Sequence, residues 1–425
     1  MNPENQVIRL GFLGLGNIGA GVYRLLRDRA DEIRAQEGIG FEVTRILVRD
    51  LQKPRKVEVP THILTTDSEQ VVASADVDVV VEFLGGQEPA SSLLIRALAH
   101  GKPIVTANKM ALASSWQQIM QTAMDHRTPL LFEASVCGAI PILRGLIHSM
   151  QANRIDSLTG IVNGTTNYIL TAMQEEGLAY AEALEKAQEL GLAEPDPTAD
   201  VEGFDAVYKL SILAALAFHR HVQPTAIHRE GITRITQTDI QRAKEWGYAI
   251  KLLAHGSVRD GQLSLRVHPS LVAKPSPLAS VAGALNCVCV SGHASGDLTW
   301  IGLGAGDAPT ASAVVSDLIE IAKGGGYLPT SLKAEATVSD DWDAAFYLSI
   351  CVPEGKRSQW SMMEVLARYG VEVERFERVE AIIPTGWDRF VLLTNKGSTK
   401  AVQAVKKELE EGLGAKVTCI HVADL

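Results

Sequence analysis

The chain has 425 residues, a formal net charge of −10 and 46% hydrophobic residues, which is typical of a folded protein with two or three domains. This acidic balance argues against nucleic-acid and anionic-membrane partners, and the five cysteines form no Cys-x-x-Cys pair that would suggest a metal or redox motif. No basic segment precedes an apolar run at the N-terminus, and no uncharged apolar run could span a membrane, so we expect a cytoplasmic protein.

The N-terminal segment has the pattern of a dinucleotide-binding turn. The stretch VIRLGFL predicts a buried strand, and three glycines, Gly14, Gly16 and Gly19, follow it before the predicted helix GVYRLLRDRADEIRAQ. The first glycine would make the turn, the second would admit a pyrophosphate and the third would let helix and strand pack closely. We therefore expect the backbone from Gly14 to Gly19, with Asn17 and Ile18, to bind cofactor; an ordinary glycine turn is the alternative.

The end of the second predicted strand bears on the choice of coenzyme. FEVTRILV is followed by Arg49 and Asp50. An acid in this place prefers the ribose hydroxyl of NAD, whereas an arginine can bind the 2′-phosphate of NADP. The nearby Lys53, Arg55 and Lys56 favour NADP with Arg49 as its ligand, while NAD use stays open and a solvated basic loop is the alternative interpretation.

The next segments continue a βαβ rhythm. VDVVVEFLGG predicts a strand buried on both faces, and the helix PASSLLIRALAHG and the strand PIVTANK follow. This alternation is typical of a doubly wound α/β fold with a parallel sheet. Asn108 and Lys109 stand just past a strand's carboxyl end, where such sheets bind ligands, although a loop lysine is often only solvated.

The stretch AQELGLAEPDPTADVEGFDAVYK, residues 187–209, concentrates carboxylates beside a lysine. Its prolines disfavour helix around Glu194, and Asp200 is predicted to cap a helix that starts at Val201.

Asp205 and Lys209 are four residues apart and should share one helix face. They could form a solvated ion pair, but LSILAALAF follows Lys209 and is typical of a buried helix. A lysine that enters a buried helix beside several acids indicates a functional site.

Several residues of this stretch resemble, in order and spacing, the signature of the homoserine dehydrogenase family: Ala187, Gly191, Asp196, Pro197, Asp200, Gly203, Asp205 and Lys209. The resemblance implies an NAD(P)-dependent enzyme that interconverts L-homoserine and L-aspartate 4-semialdehyde in threonine, methionine and isoleucine biosynthesis. It also implies that Lys209 transfers a proton with Asp205 as its partner, and that Glu194 and Asp200 hold the substrate's α-ammonium group. By the same resemblance, Lys109 in the TANK run lies near nicotinamide and substrate, with both catalytic and binding roles.

The family resemblance also implies a monovalent-cation site, for Na⁺ or K⁺, in LLFEASVCGAIPI. Its ligands would be Glu133, Val136, Gly138 and Ile140, mostly through backbone carbonyls, and Cys137 stands where the family more usually has alanine or glycine. A further stretch that resembles a signature of this family, IDSLTGIVNGTTNYIL, predicts a strand that turns at Asn163 and Gly164 before a helix. Its hydroxyl and amide groups could equally cap that helix or bind ligands.

A second glycine-rich turn, with Gly306 near its end, precedes the helix TASAVVSDLIEIA. The resemblance implies that it closes over cofactor and substrate, and that the helix returns to the nucleotide-binding domain. Before this turn, a segment of short helices and strands from about 223 to 300 predicts the catalytic domain's sheet. The histidines between 219 and 228 lack metal-ligand spacing, and we interpret them as surface or interface residues.

From residue 345 the elements follow a βαββαβ order, which is typical of a ferredoxin-like domain. Attached to an amino-acid enzyme, it resembles an ACT regulatory domain, and threonine is the expected effector. Residues 353–357 depart from the loop common in such domains, so a dimerisation module without a ligand is the alternative. We expect a homo-oligomer, either a dimer or a tetramer.

The predicted organisation has three domains: an NAD(P)-binding Rossmann domain (1–135, completed by about 305–330), an α+β substrate and dimerisation domain (136–304) and, after a linker (331–344), the ACT-like domain (345–425). Another amino-acid or sugar dehydrogenase would share the first domain without needing the 187–209 constellation. A catalytically silent amino-acid sensor would not need the lysine and its carboxylates.

Overall fold

The computed structural model describes residues 6–333, 336–354, 358–379 and 386–424. Its chain divides into two compact units, the first formed by Met1–Leu158, Tyr208–Ala226 and Asn286–Ala336, the second by Thr159–Val207, Ile227–Leu285 and Thr337–Leu425. Among the described residues, no helix is both long and apolar enough to cross a membrane. The predicted three-domain boundaries stay a proposal, since compact units and domains need not coincide.

The strands, in chain order, are β1 (Gln6–Leu13), β2 (Ile39–Leu47), β3 (Leu64–Thr65), β4 (Val79–Glu82), β5 (Ile104–Thr106), β6 (Leu130–Leu131), β7 (Ile155–Ile161), β8 (His228–Arg229), β9 (Tyr248–Arg259), β10 (Gln262–Ala273), β11 (Leu285–Gly292), β12 (Gly296–Leu303), β13 (Asp343–Ala344), β14 (Phe346–Pro353), β15 (Val373–Arg378), β16 (Trp387–Thr394), β17 (Gly397–Ser398) and β18 (Lys416–Val422).

The α-helices are α1 (Asn17–Asp28), α2 (Ala30–Glu37), α3 (Glu69–Val72), α4 (Ala90–Ala99), α5 (Lys109–His126), α6 (Ile142–Arg144), α7 (Gly164–Glu175), α8 (Tyr180–Glu189), α9 (Thr198–Val201), α10 (Phe204–Ala217), α11 (Gln237–Glu245), α12 (Asp307–Ala322), α13 (Ser358–Arg368) and α14 (Thr399–Leu413). Short 3-10 or π turns lie at Thr61–Ile63, Glu133–Ser135, Gly145–Ser149, Pro224–Ala226 and Pro277–Ser280.

The first unit contains the predicted parallel sheet. Its strand order is β3-β2-β1-β4-β5-β6, and every neighbouring pair is parallel. Leu10, Phe12 and Val81 lie in its core with no exposed surface, and α12 adds Val314 and Leu318 to the same core. The strand order reverses between β1 and β4, so their carboxyl ends form the crevice in which sheets of this type bind nucleotides. The Rossmann prediction is confirmed.

Two helix predictions were wrong in detail. The helix after the glycine turn is two helices, because Arg29 leaves helical geometry with φ −112°. The charges favour this break: Arg27 lies in the last turn of α1, and Asp31 and Glu32 lie in the first turn of α2, each complementing its helix dipole.

The helix predicted from Val201 instead begins at Phe204. Asp200, which was expected to cap this helix, instead lies inside the preceding short helix α9. At the start of α9, the Asp196 carboxylate accepts hydrogen bonds from the amide and the hydroxyl of Thr198. Gly203 separates α9 from α10 with φ +80°, a left-handed conformation that a helix cannot contain.

The second unit contains the predicted βαββαβ module. Its strand order, β18-β14-β16-β15, is that of a ferredoxin-like sheet, and each of these neighbouring pairs is antiparallel. Phe346, Leu348 and Leu392 fill its core with Val405 and Leu409 of α14. β18 also pairs in parallel with β10, whose other edge pairs with β9. Of the atypical loop 353–357, residues 355–357 lie outside the described residues.

Candidate functional site

The glycine turn after β1 has the shape that a dinucleotide needs. Gly14 has φ +103°, and a Cβ on Gly19 would lie 2.9 Å from the Gly14 carbonyl oxygen, so both positions require glycine. A Cβ on Gly16 would meet open space, and α1 has neither a side-chain cap nor an acid in its first turn, which begins with Asn17 and Ile18. These N–H groups at a helix N-terminus therefore fit a pyrophosphate.

A buried acid that the sequence reasoning missed organises the neighbouring strand ends. Glu82, at the end of β4, has no exposed surface and accepts hydrogen bonds from the Thr106 hydroxyl (2.5 Å), the Asn108 amide (3.2 Å) and the Leu84 backbone (2.6 Å). Burial raises the pKa of Glu82, against these hydrogen bonds. The only sequence signal was an acid inside an apolar strand.

This network fixes the start of α5, where Lys109 lies. Asn108 caps that helix by accepting a hydrogen bond from the Ala111 amide, and its side-chain nitrogen donates to the Gly86 carbonyl at 2.9 Å. Lys109 is half-buried as the first residue of α5, at the carboxyl end of the parallel sheet.

Arg49 and Asp50 are both exposed just past the end of β2, next to the glycine-bearing strand β1. The Arg55 guanidinium bends back to the Asp50 carbonyl oxygen. Arg49 therefore lies on the surface at the end of the strand next to the one that precedes the dinucleotide turn.

The predicted cation loop is buried and sharply turned. Cys137 and Gly138 are both left-handed, at φ +57° and +52°, and a Cβ on Gly138 would lie 2.8 Å from the Gly304 carbonyl. Val136 and Ile140 are almost fully buried in this turn. The loop therefore packs directly on the second glycine-rich segment, which Gly306 ends with φ +111° before α12.

Glu133 is buried at the start of this loop, and its carboxylate accepts backbone hydrogen bonds from Leu143 (2.8 Å) and Arg144 (2.7 Å). Burial raises its pKa to about 7, while those two hydrogen bonds oppose the shift. Asp317 accepts from the Glu133 amide at 2.9 Å and binds Arg144 at 3.0 Å.

In the second unit, Asn163 joins two of the predicted site carboxylates. Its side-chain nitrogen donates to Asp200 at 2.7 Å and to Asp205 at 2.9 Å. Its side-chain oxygen caps α7 by accepting from the Thr166 amide at 2.9 Å. Asn163 therefore fixes both acids relative to the start of α7, a role that the sequence reasoning did not assign.

The remaining predicted residues differ in burial. Lys209 is 7% exposed and Asp205 is 6% exposed, and they lie one turn apart on α10. Glu194 is exposed in the loop before α9, where its carbonyl accepts from the Gln188 side chain. The structure thus brings Asp200 and Asp205 together, and it leaves the Glu194 carboxylate open to solvent.

The histidines at 219–228 were predicted to be surface or interface residues, and His221 differs from the surface alternative because it is buried within its own chain. It is 3% exposed, stacks on Trp116 at 5.8 Å between ring centroids, and bonds through Nε2 to the Ala113 carbonyl.

Asn167 belongs to the stretch whose side chains could either cap a helix or bind ligands, and its side chain makes hydrogen bonds within the protein. Its side-chain nitrogen donates to the Val281 and Leu285 carbonyls, and its oxygen accepts from the Lys251 ammonium at 3.0 Å. Lys251 is 3% exposed, and burial lowers its pKa to about 8.

We predict a rise in stability with pH that depends on Lys251. Between about pH 8 and the usual lysine pKa of 10.5, Lys251 is protonated in the unfolded chain and deprotonated in the folded one. The free energy of unfolding should therefore increase with pH over this range, by about 3 kcal/mol in total. Urea unfolding of Lys251→Met at pH 7 to 10 should lack this rise, and exposed Lys274→Met should retain it. Equal pH dependence in wild type and Lys251→Met would contradict the prediction.

Comparisons with known proteins identify the family of the chain. Residues 14–133 match the family model described as the NAD-binding domain of homoserine dehydrogenase, and residues 141–319 match that described as homoserine dehydrogenase. Homoserine dehydrogenase of Bacillus subtilis is 37% identical over 94% of this chain and 97% of its own, and that of Synechocystis is 47% identical over 74% and 73%.

Solved structures agree with these matches. A homoserine dehydrogenase from Thiobacillus denitrificans superposes with a TM-score of 0.87 at 35% identity, covering 99% of both chains. A hyperthermophilic archaeal homoserine dehydrogenase, solved in complex with NADPH, shares the fold over 76% of this chain with a TM-score of 0.64 at 24% identity. These family matches and relatives together show that the chain belongs to the homoserine dehydrogenase family of oxidoreductases.

Proposed function

We propose that this enzyme interconverts L-homoserine and L-aspartate 4-semialdehyde with the residues that the signature predicted. The observation that carries the proposal is the pair of carboxylates, Asp200 and Asp205, held by one amide of Asn163, with Lys209 one turn beyond Asp205 on the same helix. A family member that had lost catalysis would have no use for a lysine and an acid buried together on α10.

Lys209 transfers a proton to or from the substrate's C4 oxygen, directly or through water. The burial of Lys209 supports this role, because a buried ammonium is costly and sharing its proton with another group reduces that cost. Asp205 orients Lys209, while Asp200 and Glu194 bind the α-ammonium group of the substrate. The open Glu194 carboxylate can meet the incoming ammonium before it is desolvated.

A nicotinamide dinucleotide, when bound, would donate a hydride to C4 of the aldehyde in one direction and accept a hydride from C4 of homoserine in the other. The turn from Gly14 to Gly19 binds its pyrophosphate, and the Gly306 turn and Lys109 complete the nicotinamide side. Exposed Arg49 binds the 2′-phosphate, which makes NADP the preferred coenzyme. The NADPH found in the archaeal relative agrees with this choice.

Lys209→Met should lower kcat by about 10²- to 10⁴-fold, because it removes the proton-transfer group and keeps side-chain bulk. Coenzyme binding and the unfolding midpoint should stay near those of wild type. Exposed Lys407→Met is the matched control and should retain full kcat. A folded Lys209→Met variant with wild-type kcat would refute the assignment.

Arg49→Ala should raise the KM for NADP and leave the KM for NAD almost unchanged, because only the 2′-phosphate uses the guanidinium. Steady-state kinetics with both coenzymes measures this difference. Arg27→Ala, an exposed arginine of α1, controls for the loss of surface charge. Equal changes for the two coenzymes in Arg49→Ala would exclude a 2′-phosphate contact.

We also propose that the Glu133 loop binds Na⁺ or K⁺ through the Glu133 carboxylate and the carbonyls of Val136, Gly138 and Ile140. The left-handed backbone and the burial of this loop support the proposal, since a hard cation would gain oxygen ligands in a site shielded from water. The positive charge of Arg144 acts on Glu133 and would compete with a cation, and its pairing with Asp317 and Glu320 reduces that competition.

Replacement of Na⁺ and K⁺ by a bulky organic cation should lower activity or the unfolding temperature, and either ion should restore it. Glu133→Gln should abolish the difference between the two buffers. Identical activity and stability after thorough ion exchange would remove the cation from the account.

The C-terminal ferredoxin-like module is proposed to be an ACT domain that binds threonine and inhibits the enzyme, within a dimer or tetramer. Its strand order and its pairing with β10 support this, because an effector bound there would act on a sheet that continues into the catalytic region of the same unit.

Calorimetry on the full-length enzyme should detect threonine binding, and threonine should lower the rate at fixed substrate concentration. Other amino acids of the aspartate family serve as comparison ligands, and light scattering gives the subunit number. No heat with any of them, together with unchanged rates, would leave the module a purely structural one.

A further inference from the structure

Three side chains with metal-binding atoms lie together outside the residues assigned to the dehydrogenase reaction. His228 belongs to β8, Glu230 follows it, and His421 belongs to β18. These two strands pair with β10, where His228 is opposite Arg266 and His421 is opposite Ser270. Residues 266 and 270 point to the same face of β10, so the two histidines project from one face of the sheet.

The distances approach those of a coordinated ion. One ligand atom from each of the three side chains lies within 4.8 Å of the others, and His228 Nε2 is 3.4 Å from a Glu230 carboxylate oxygen. Ligands about 2.0–2.1 Å from a tetrahedral ion are about 3.4 Å apart. One pair therefore already has this separation, and a side-chain rotation would bring in the third atom.

His421 is a buried imidazole whose polar atoms are unused. It is 1% exposed, and neither of its ring nitrogens has a hydrogen-bond partner among the described residues. A buried polar group left in this state is destabilising, and a bond to a metal would offset that cost.

The surroundings admit an ion and leave one ligand position open. His228 and Glu230 line a cavity of about 360 Å³ that also reaches Lys406 and Cys419. His421 does not line this cavity; it lines a second cavity with His268, on which its ring stacks at 3.6 Å between centroids. The positive charges of Lys406 and Arg266 oppose a cation here, and the carboxylate of Glu230 compensates one of them.

We propose that His228, Glu230 and His421 bind a divalent transition-metal ion, with Zn²⁺ the best match and water from the cavity as its fourth ligand. Two imidazoles and one carboxylate form a ligand set that suits Zn²⁺, whereas Ca²⁺ and Mg²⁺ prefer oxygen ligands alone. The ion would connect β8 to β18, the last strand of the ferredoxin-like module, where both strands pair with the same edge of β10. It would thereby stabilise the module against the rest of its sheet.

The test uses untagged full-length protein stripped of metal with a chelator. Equilibrium dialysis against Zn²⁺ should give one bound ion per chain, and Co²⁺ should give the visible absorption of a four-coordinate site. Added Zn²⁺ should also raise the unfolding temperature. His228→Gln and His421→Gln should each weaken Zn²⁺ binding by about 10-fold or more, while exposed His100→Gln should not.

His228→Gln is the decisive variant because its side chain is 35% exposed and its loss leaves no cavity in the core. Loss of Zn²⁺ binding in this variant, with normal dehydrogenase activity as the measure of folding, supports the site. Zn²⁺ binding that survives in His228→Gln, or no stoichiometric binding in wild type, overturns it.

Discussion

The amide of Asn163 is the contact on which the proposed substrate site depends. Its two N–H groups go to two different carboxylates, those of Asp200 and Asp205, and its oxygen is committed to the N-terminus of α7. A flipped amide would place an oxygen against both acids, so only one orientation is stable. This single side chain therefore sets the positions of α7, α9 and the first turn of α10 relative to one another.

A similar arrangement of a buried polar group stabilises the nucleotide-binding unit. Glu82 takes three hydrogen bonds at the ends of β4 and β5, and through Asn108 it determines where α5 and Lys109 begin. In both units, a polar side chain at a strand end has all its partners within the protein. Such groups keep the loops rigid without covering the surface that a ligand must reach.

Sequence periodicity predicted the Rossmann sheet and the βαββαβ module, because both depend on local alternation of apolar residues and on turn glycines. The spacing of Asp205 and Lys209 correctly placed them on one helix face. The start of that helix was missed, since the left-handed φ of Gly203 has no separate signal in a run of helix-compatible residues.

The bridging role of Asn163 could not be predicted from the sequence, because its two hydrogen-bond partners are 37 and 42 residues away along the chain. The same limit applies to His421, whose approach to His228 depends on the parallel pairing of β18 with β10. That pairing also shows that the C-terminal module is not a detachable appendage. Its removal would expose an edge of β10, so effects of ligands on this module are best measured in the full chain.

The most direct test of the account is the Asn163→Asp variant, because aspartate still caps α7 but replaces the bridging N–H groups with a third carboxylate. We predict that kcat/KM for homoserine falls by about 100-fold, because Asp200 and Asp205 lose the amide that holds them in position. NADP binding should be retained. Full kcat/KM in a folded Asn163→Asp enzyme would contradict the claim that this amide assembles the site.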